Sequence, residues 1–220
     1  MTYISWATAY EGATDRAYYE VLLPRILTDI SLREGTRSVQ IPESAAVQLS
    51  LSGRAVEEVA GEICKNAQAF HIAFIHADIG GRGVRQSLAQ RSQSYCERAN
   101  ELCAWPQERC VTITPNRETE AWVLADVEAV LDALGYAGSA TELGLPATAA
   151  AAEALPDPKS VLENAVRLAT PRRRRSAPSQ IFSAVAQAQS LDRLRGAESF
   201  RLFETRVRGA LASLGVMASA

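Results

Sequence analysis

Residues 71–78 form a short, almost uninterrupted apolar run that ends in polar residues, His71-Ile72-Ala73-Phe74-Ile75-His76-Ala77-Asp78. A run of this kind is typical of a strand that is buried on both faces of a parallel sheet. Apolar residues with helical spacing precede it between Gly53 and Phe70, and others follow it from residue 84 to residue 104. Strands that alternate with helices in this way predict an α/β fold with a mostly parallel sheet flanked by helices.

A second strand-to-helix turn lies near the start of the sequence. Residues 3–10 are rich in aromatic and β-branched side chains and predict a first strand, while Thr14 and Asp15 suit the first turn of a helix. Glu11 and Gly12 lie between the two. Ligands bind at the carboxyl ends of strands in an open parallel sheet, so a carboxylate followed by Gly suits a metal or phosphate site here. An ordinary turn with a solvated Glu is the other interpretation.

Polar side chains also follow two later strands of the predicted sheet. His76 and Asp78 end the apolar run, and Glu120 follows a strand predicted over residues 110–115. Parallel strands end at the same edge, so we expect these side chains to converge with Glu11. Converging carboxylates repel each other unless a cation lies between them, and oxygen ligands suit Mg²⁺, whereas His76 would favour Mn²⁺. The residues therefore predict a Mg²⁺ or Mn²⁺ site that activates a water, with the ligands Glu11, His76, Asp78 and Glu120. A satisfied histidine at a strand end is the alternative for His76.

Charge is unevenly spread along the 220 residues. The net charge is −2, but residues 171–220 hold nine Arg against three acidic residues, so they carry +6 and the remainder carries −8. This asymmetry predicts that the C-terminal part either meets an anionic partner or docks on the acidic part. The residues that we expect to contact a nucleic-acid backbone are Arg82, Arg85, Arg172, Arg173, Arg174 and Arg175. A solvated linker or a docking surface is the alternative for the run of four arginines.

The four cysteines, at positions 64, 96, 103 and 110, show no CxxC spacing, and only two histidines accompany them. We therefore expect no structural zinc site. The sequence contains no secretory signal pattern and no apolar run of roughly 20 residues. These features predict a cytoplasmic chain with reduced thiols and no membrane partner.

Three motifs in order resemble a known family. Glu11-Gly12-x-Thr14-Asp15 after one strand and His76-x-Asp78 after another resemble the Toprim domain of topoisomerases, primases and OLD-family nucleases. More narrowly, Glu118-Thr119-Glu120-Ala121-Trp122-Val123-Leu124-Ala125-Asp126 resembles the E-A-W-L-L-A-D signature of an uncharacterised Toprim-like bacterial family. The run Arg172–Arg175, then Leu191-x-x-Leu194 and Ser199-Phe200-x-x-Phe203, is also similar to that family. The resemblance implies a Toprim-like α/β fold and a protein encoded beside an AAA or ABC-type ATPase in phage defence or DNA repair.

Carried over residue by residue, the resemblance implies that Glu11 is the metal-linked or general acid/base carboxylate. It implies that Asp78 is the remaining member of an Asp-x-Asp pair. His76 stands where the first Asp of that pair is expected, and in the other register Gly80 stands where the second is expected. One acidic ligand of the pattern is therefore missing in either register. Glu120 is a candidate replacement, although it equally suits a helix start that Trp122 anchors in the core.

These observations predict a Toprim-like α/β domain over residues 1–135, a connecting segment over residues 136–158, and a helical C-terminal part with the basic run over residues 159–220. We expect a metal-dependent phosphodiesterase that cleaves nucleic acid, DNA in the first instance. Because the chain has no Walker A motif, a separate ATPase must supply ATP hydrolysis. The missing acidic ligand favours the alternative, a degenerate Toprim subunit that binds a partner protein or nucleic acid without cleaving it.

Overall fold

The computed structural model describes residues 2–77, 85–169 and 177–218, and for residues 85–90 it describes the backbone alone. Packing divides the chain into two compact units, each built from segments that are distant in sequence. We call them the sheet unit, Met1–Gly12, Leu23–Thr114 and Phe203–Ala220, and the helical unit, Ala13–Leu22 and Pro115–Leu202. These boundaries differ from residues 135 and 158, and the predicted domains stay a prediction.

The described strands belong to the sheet unit, and all of their pairings are parallel. They are β1 (Thr2–Tyr3), β2 (Trp6–Tyr10), β3 (Val39–Gln40), β4 (Val47–Ser50), β5 (Ile72–His76) and β6 (Cys110–Thr112). β1 pairs with β3, and the other four strands form one sheet in the order β4-β2-β5-β6. The predicted parallel sheet is therefore confirmed.

The helices follow the predicted alternation and dominate the C-terminal part. They are α1 (Ala13–Glu34), α2 (Val56–Lys65), α3 (Arg85–Cys103), α4 (Glu120–Val123), α5 (Val127–Leu134), α6 (Ala149–Glu153), α7 (Pro158–Ala169), α8 (Pro178–Ala188), α9 (Leu191–Leu194) and α10 (Glu198–Ser213). The α/β class with a helical C-terminal extension is confirmed. Whether the fold is Toprim-like in the narrower sense stays a prediction.

The central strands β2 and β5 are buried along their whole length, as the apolar runs predict. Ala73 and Ile75 of β5 belong to an apolar cluster with side chains of α2 and α3. Phe74 points to the opposite face, because side chains alternate along a strand. There its ring lies 6.3 Å from Trp6 and 6.2 Å from Phe203 of α10, between centroids. Helices and aromatic side chains therefore cover both faces of β5.

Trp122 anchors the core of the helical unit, as one interpretation of the E-A-W motif predicts. Its side chain is fully buried and makes edge-to-face contacts with Tyr19 and Phe200. Buried Gln189 accepts a hydrogen bond from the Tyr18 hydroxyl and donates one to the Trp122 carbonyl, each at 2.6 Å. Because these polar atoms are paired, the amide is accommodated in an otherwise apolar core.

α4 and α5 are separate helices, although the apolar residues Val123, Val127, Val130 and Leu134 continue a single helical spacing. Asp126 has an extended backbone, and its carboxylate accepts hydrogen bonds from the Ser190 amide and the Arg193 guanidinium, at 2.8 Å and 2.9 Å. These tertiary contacts hold the break open against the local helical preference. At the other end Gly135 closes α5 with φ +60°, a conformation that Gly adopts without steric cost.

The predicted connecting segment, residues 136–158, contains a short 3-10 helix, Ala140–Leu143, and α6. Ser139 and Glu142 form a capping box at the start of the 3-10 helix. Glu153 at the end of α6 accepts hydrogen bonds from the backbone amides of Glu198 and Ser199, at 2.7 Å and 2.8 Å. A carboxylate in this place favours the positive N-terminal end of α10.

The expectation of reduced thiols is wrong. Cys64 is bonded to Cys103, and Cys96 to Cys110, with Cα atoms 5.8 Å and 5.6 Å apart. No spacing in the sequence indicates these pairs, because their members are 39 and 14 residues apart and meet only after α3 packs against α2 and β6. A cytoplasmic location stays a prediction and loses one of its supports.

Within the described ranges, no helix combines the length and the apolar character that crossing a bilayer requires.

The two disulfides differ in how open they are to solvent. Cys96 and Cys110 are buried, whereas Cys103 is exposed and Cys64 partly so. We predict that Cys103→Ser lowers the free energy of unfolding by about 2–4 kcal/mol, since a cross-link restricts the unfolded chain. Urea unfolding of the variant and the parent protein, both without reductant, measures this. An unchanged urea midpoint would contradict the prediction. Alkylation and mass spectrometry of the parent protein then show whether Cys64 and Cys103 are free thiols rather than a disulfide.

Candidate functional site

The strand order places a topological switch point between β2 and β5. The chain passes from β2 to β4 on one side of the sheet and then to β5 on the other. In open α/β sheets, ligands bind in the crevice outside the carboxyl ends of two such strands. Tyr10 pairs with His76 in the parallel register, so Glu11 leaves β2 beside the end of β5. We call the carboxyl ends of β2, β5 and β6 the switch-point edge.

Glu11 lies at this edge and is held by α3. Its carboxylate forms an ion pair with the Arg91 guanidinium, with 2.5 Å between Oε1 and Nη2. The Glu11 side chain is 17% exposed and that of Arg91 is 46% exposed, so the carboxylate is the more shielded member of the pair. An arginine therefore compensates the charge of the carboxylate that the sequence analysis proposes for metal binding or proton transfer.

His76 ends β5 as a buried residue whose ring orientation is fixed. Its Nδ1 lies 3.0 Å from the Ile113 carbonyl oxygen. A carbonyl only accepts hydrogen bonds, so Nδ1 carries a proton in this contact. The next residue, Ala77, donates its amide to the buried Ser92 hydroxyl at 3.2 Å. α3 therefore holds the chain that leaves β5 as well as Glu11.

Arg206 is a residue at the switch-point edge that the sequence analysis did not single out. From α10 its Nη1 donates to the Thr112 carbonyl and to the Thr114 hydroxyl, both at 3.0 Å, where β6 ends. Burial lowers the pKa of its guanidinium. The sequence does contain one indication of this role. Arg206 directly precedes Val207, a buried apolar residue of the last helix, and a charged side chain near the core is unfavourable unless it forms a hydrogen bond or an ion pair.

Glu120 belongs to the helical unit, at the start of α4. Burial first, and then the negative charges of Glu118 and Asp15, raise the pKa of its carboxyl from 4.5 to about 7. Asp15 is buried and accepts a hydrogen bond from the Thr119 hydroxyl at 2.6 Å. Asp15 also lies in the first turn of α1, as its position in the sequence predicts. A carboxyl whose pKa is about 7 can exchange a proton near neutral pH, as Glu120 can here.

The predicted set falls in both units. Glu11 and His76 belong to neighbouring strand ends of the switch-point edge in the sheet unit, and Glu120 belongs to the helical unit. The residues outside the described ranges are Asp78, Arg82, Arg172, Arg173, Arg174 and Arg175, and of Arg85 only the backbone is described. Among the described side chains, no group of three or more His, Cys, Asp or Glu residues is arranged to hold a metal ion.

No protein-family model, curated protein or solved structure matches this chain. The Toprim-like resemblance therefore stays a prediction.

The raised pKa of Glu120 makes stability depend on pH. Between about pH 4.5 and pH 7 the unfolded chain has lost the Glu120 proton while the folded chain keeps it, so stability falls as pH rises through this window. We predict that Glu120→Gln is more stable than the parent protein at pH 8 by about 1–3 kcal/mol, the lower value allowing for partial solvent screening. At pH 4 the two proteins unfold at similar urea concentrations. Glu43→Gln, at an exposed position, is the control, and an equal difference at both pH values would contradict the prediction.

Proposed function

We propose that this protein is a Toprim-like, metal-dependent phosphodiesterase that acts on nucleic acid at the switch-point edge. The observation that carries the proposal is the parallel register of β2 and β5, which places Glu11 beside the end of the strand that His76 closes. Two groups capable of proton transfer or metal ligation thus lie where open α/β sheets bind their ligands. Arg91 and Arg206 add positive charge suited to phosphate oxygens.

Glu11 and His76 fit as two ligands of the Mg²⁺ or Mn²⁺ ion that the proposal requires. His76 donates its Nδ1 proton to a backbone carbonyl, as metal-binding histidines commonly do. Mg²⁺ in phosphoryl-transfer sites is commonly held by one or two protein carboxylates together with substrate phosphates. Asp78, two residues after His76, is the proposed second carboxylate. When bound, such a metal polarises the phosphodiester and activates a water.

The protein's own residues have separate roles in this proposal. Glu11 exchanges a proton with the attacking or leaving oxygen. Arg91 compensates the charge of the Glu11 carboxylate through their ion pair and offers a planar guanidinium to a phosphate. The Ser92 hydroxyl fixes the backbone that leaves β5 by accepting a hydrogen bond from the Ala77 amide. Glu120 is proposed as a further ligand from the sequence pattern alone.

The proposed setting is phage defence or DNA repair beside a separate AAA or ABC-type ATPase. The sequence contains no G-x-x-x-x-G-K-[ST] motif, so this chain lacks the loop that most commonly cradles ATP phosphates. The basic run at residues 172–175 is proposed to contact the nucleic-acid backbone. A cytoplasmic location belongs to the same proposal.

The second candidate is a degenerate Toprim subunit that binds nucleic acid or a partner protein without cleaving it. The ion pair between Glu11 and Arg91 favours this candidate, because the carboxylate already has a cationic partner. The missing acidic residue at position 76 or 80 points the same way. The two candidates differ in whether metal binds and whether a phosphodiester is broken.

We predict that the protein cleaves plasmid or oligonucleotide substrates with Mg²⁺ or Mn²⁺, and that Glu11→Gln and Asp78→Asn each reduce the rate at least a hundredfold. A positioned acid or base contributes typically 10²–10⁴-fold to a rate, which sets that scale. The assay uses supercoiled, linear and single-stranded DNA and RNA, with each metal separately and with the co-encoded ATPase.

The matched control for cleavage is Glu43→Gln, which removes one exposed carboxylate and should leave the rate unchanged. Activity that survives in both site variants would reject Glu11 and Asp78 as the catalytic residues. The absence of cleavage under every condition would reject the phosphodiesterase and favour the non-cleaving subunit.

Competition between Arg91 and a metal for Glu11 gives a second test. We predict that Arg91→Ala strengthens Mn²⁺ binding by about two- to fivefold, because a partly exposed ion pair is worth up to about 1 kcal/mol. Titration calorimetry measures the affinity, and Glu11→Gln should abolish it. Arg98→Ala, on the exposed face of the same helix, is the control. If neither the parent protein nor Arg91→Ala binds Mn²⁺, the metal site is absent.

A further inference from the structure

Arg206 is held firmly, and its described partners are neutral. Its Nη1 donates two hydrogen bonds, one to the backbone carbonyl of Thr112 and one to the hydroxyl of Thr114. Within the described ranges it forms no ion pair, whereas Arg208, one half-turn further along α10, is bound by the carboxylates of Glu34 and Glu204. The charge of Arg206 is therefore partly buried without a described counter-charge.

A partly buried cation of this kind costs free energy unless an anion pairs with it. Desolvation disfavours the charged guanidinium, which is why the pKa of Arg206 is lowered. A guanidinium has five N–H donors in a planar fork, and the two bonds described use only Nη1. Donors on Nη2 and Nε are thus available for an anion. Phosphate is the anion that this fork matches through two parallel hydrogen bonds.

The position of Arg206 links it to the switch-point edge. Thr112, Ile113 and Thr114 are consecutive residues at the end of β6. Arg206 binds the first and third of them, and His76 binds the carbonyl of the second. One short segment therefore connects the guanidinium to the end of β5. Because only β5 separates β6 from β2, the ends of β6 and β2 are about 10 Å apart.

We propose that Arg206 is a phosphate-binding residue, which holds a backbone phosphate of a nucleic-acid strand at the end of β6. The inference rests on the proposed function for the identity of the polymer, but the phosphate site itself can be tested separately. A strand that carries a charge about every 3.4 Å along its axis can place one phosphate at Arg206 while another lies nearer Glu11. Arg206 then positions the substrate and takes no part in proton transfer.

The test compares Arg206→Gln with the parent protein for binding of a fluorescein-labelled oligonucleotide, single-stranded and duplex. Fluorescence anisotropy is measured in EDTA, so that no cleavage occurs, at 50 to 200 mM salt. We expect Arg206→Gln to bind about ten- to a hundredfold more weakly, the range for one lost charge-assisted contact. The slope of log affinity against log salt should also decrease in magnitude, by about 0.7 for the single strand and 0.9 for the duplex.

Arg201→Gln is the matched control, because it removes the same charge from an exposed position of the same helix. It should change neither affinity nor slope appreciably. Arg206→Lys should keep the parental slope while binding more weakly, since lysine retains the charge but lacks the planar fork. A weaker affinity with an unchanged slope in Arg206→Gln would assign the residue a structural role only and overturn the proposal. Equal losses in Arg201→Gln and Arg206→Gln would overturn it too.

Failure of the proposed function is distinguishable from failure of this inference. If the parent protein binds neither oligonucleotide in EDTA and also cleaves none with Mg²⁺ or Mn²⁺, the nucleic-acid function is rejected, and pyrophosphate titration by calorimetry decides the phosphate site. Pyrophosphate binding that is lost in Arg206→Gln supports the site. Equal binding by the two proteins, or none by the parent protein, overturns it. Circular dichroism and thermal unfolding of each variant establish that the proteins compared are folded.

Discussion

The parallel pairing of β2 with β5 is the constraint on which the candidate site depends. Both strands are buried along their whole length, and the two faces of β5 carry side chains of different size. A one-residue slip would move Phe74 to the face that Ala73 and Ile75 pack against α2 and α3, and would leave small side chains against Trp6 and Phe203. Side-chain packing on the two faces therefore fixes the register, and the register in turn fixes where the chain leaves each strand. Packing in the sheet interior is therefore what makes Glu11 leave β2 next to the strand that His76 ends.

Much of the fold could be predicted from the sequence, because burial imposes a period on the residues. The apolar run of β5 and the helical spacing of α2 both reflect contacts that repeat along one element. The disulfides, the break at Asp126 and the contacts of Arg206 leave no such period. Each depends on residues that meet only after separate elements have packed, such as Cys64 with Cys103 or Arg206 with Thr114. For the site, the sequence indicated Glu11 and His76 but not the arginines that accompany them.

Among the described ionisable groups, Glu120 and Arg206 lose hydration on burial without charge partners that fully offset the cost. The pKa of the Glu120 carboxyl is raised and that of the Arg206 guanidinium is lowered, and in both cases desolvation is the largest cause. The paired groups behave differently: the pKa of Arg208, for example, is raised chiefly by its hydrogen bonds to Glu34. Groups whose pKa is perturbed by burial are concentrated at functional sites. This contrast singles out Arg206 among the arginines of α10.

α3 connects the cross-linked part of the sheet unit to the switch-point edge. Its C-terminal half carries Cys96 and Cys103, which are bonded to β6 and α2 respectively. Arg91 and Ser92 lie one to two turns before Cys96 on the same helix. A helix rises about 1.5 Å per residue, so Arg91 lies only about 8 Å along the axis from Cys96. Cross-links at this distance fix the helix against rotation and sliding. The side chains that hold Glu11 and the end of β5 are therefore positioned by covalent bonds that lie outside the site.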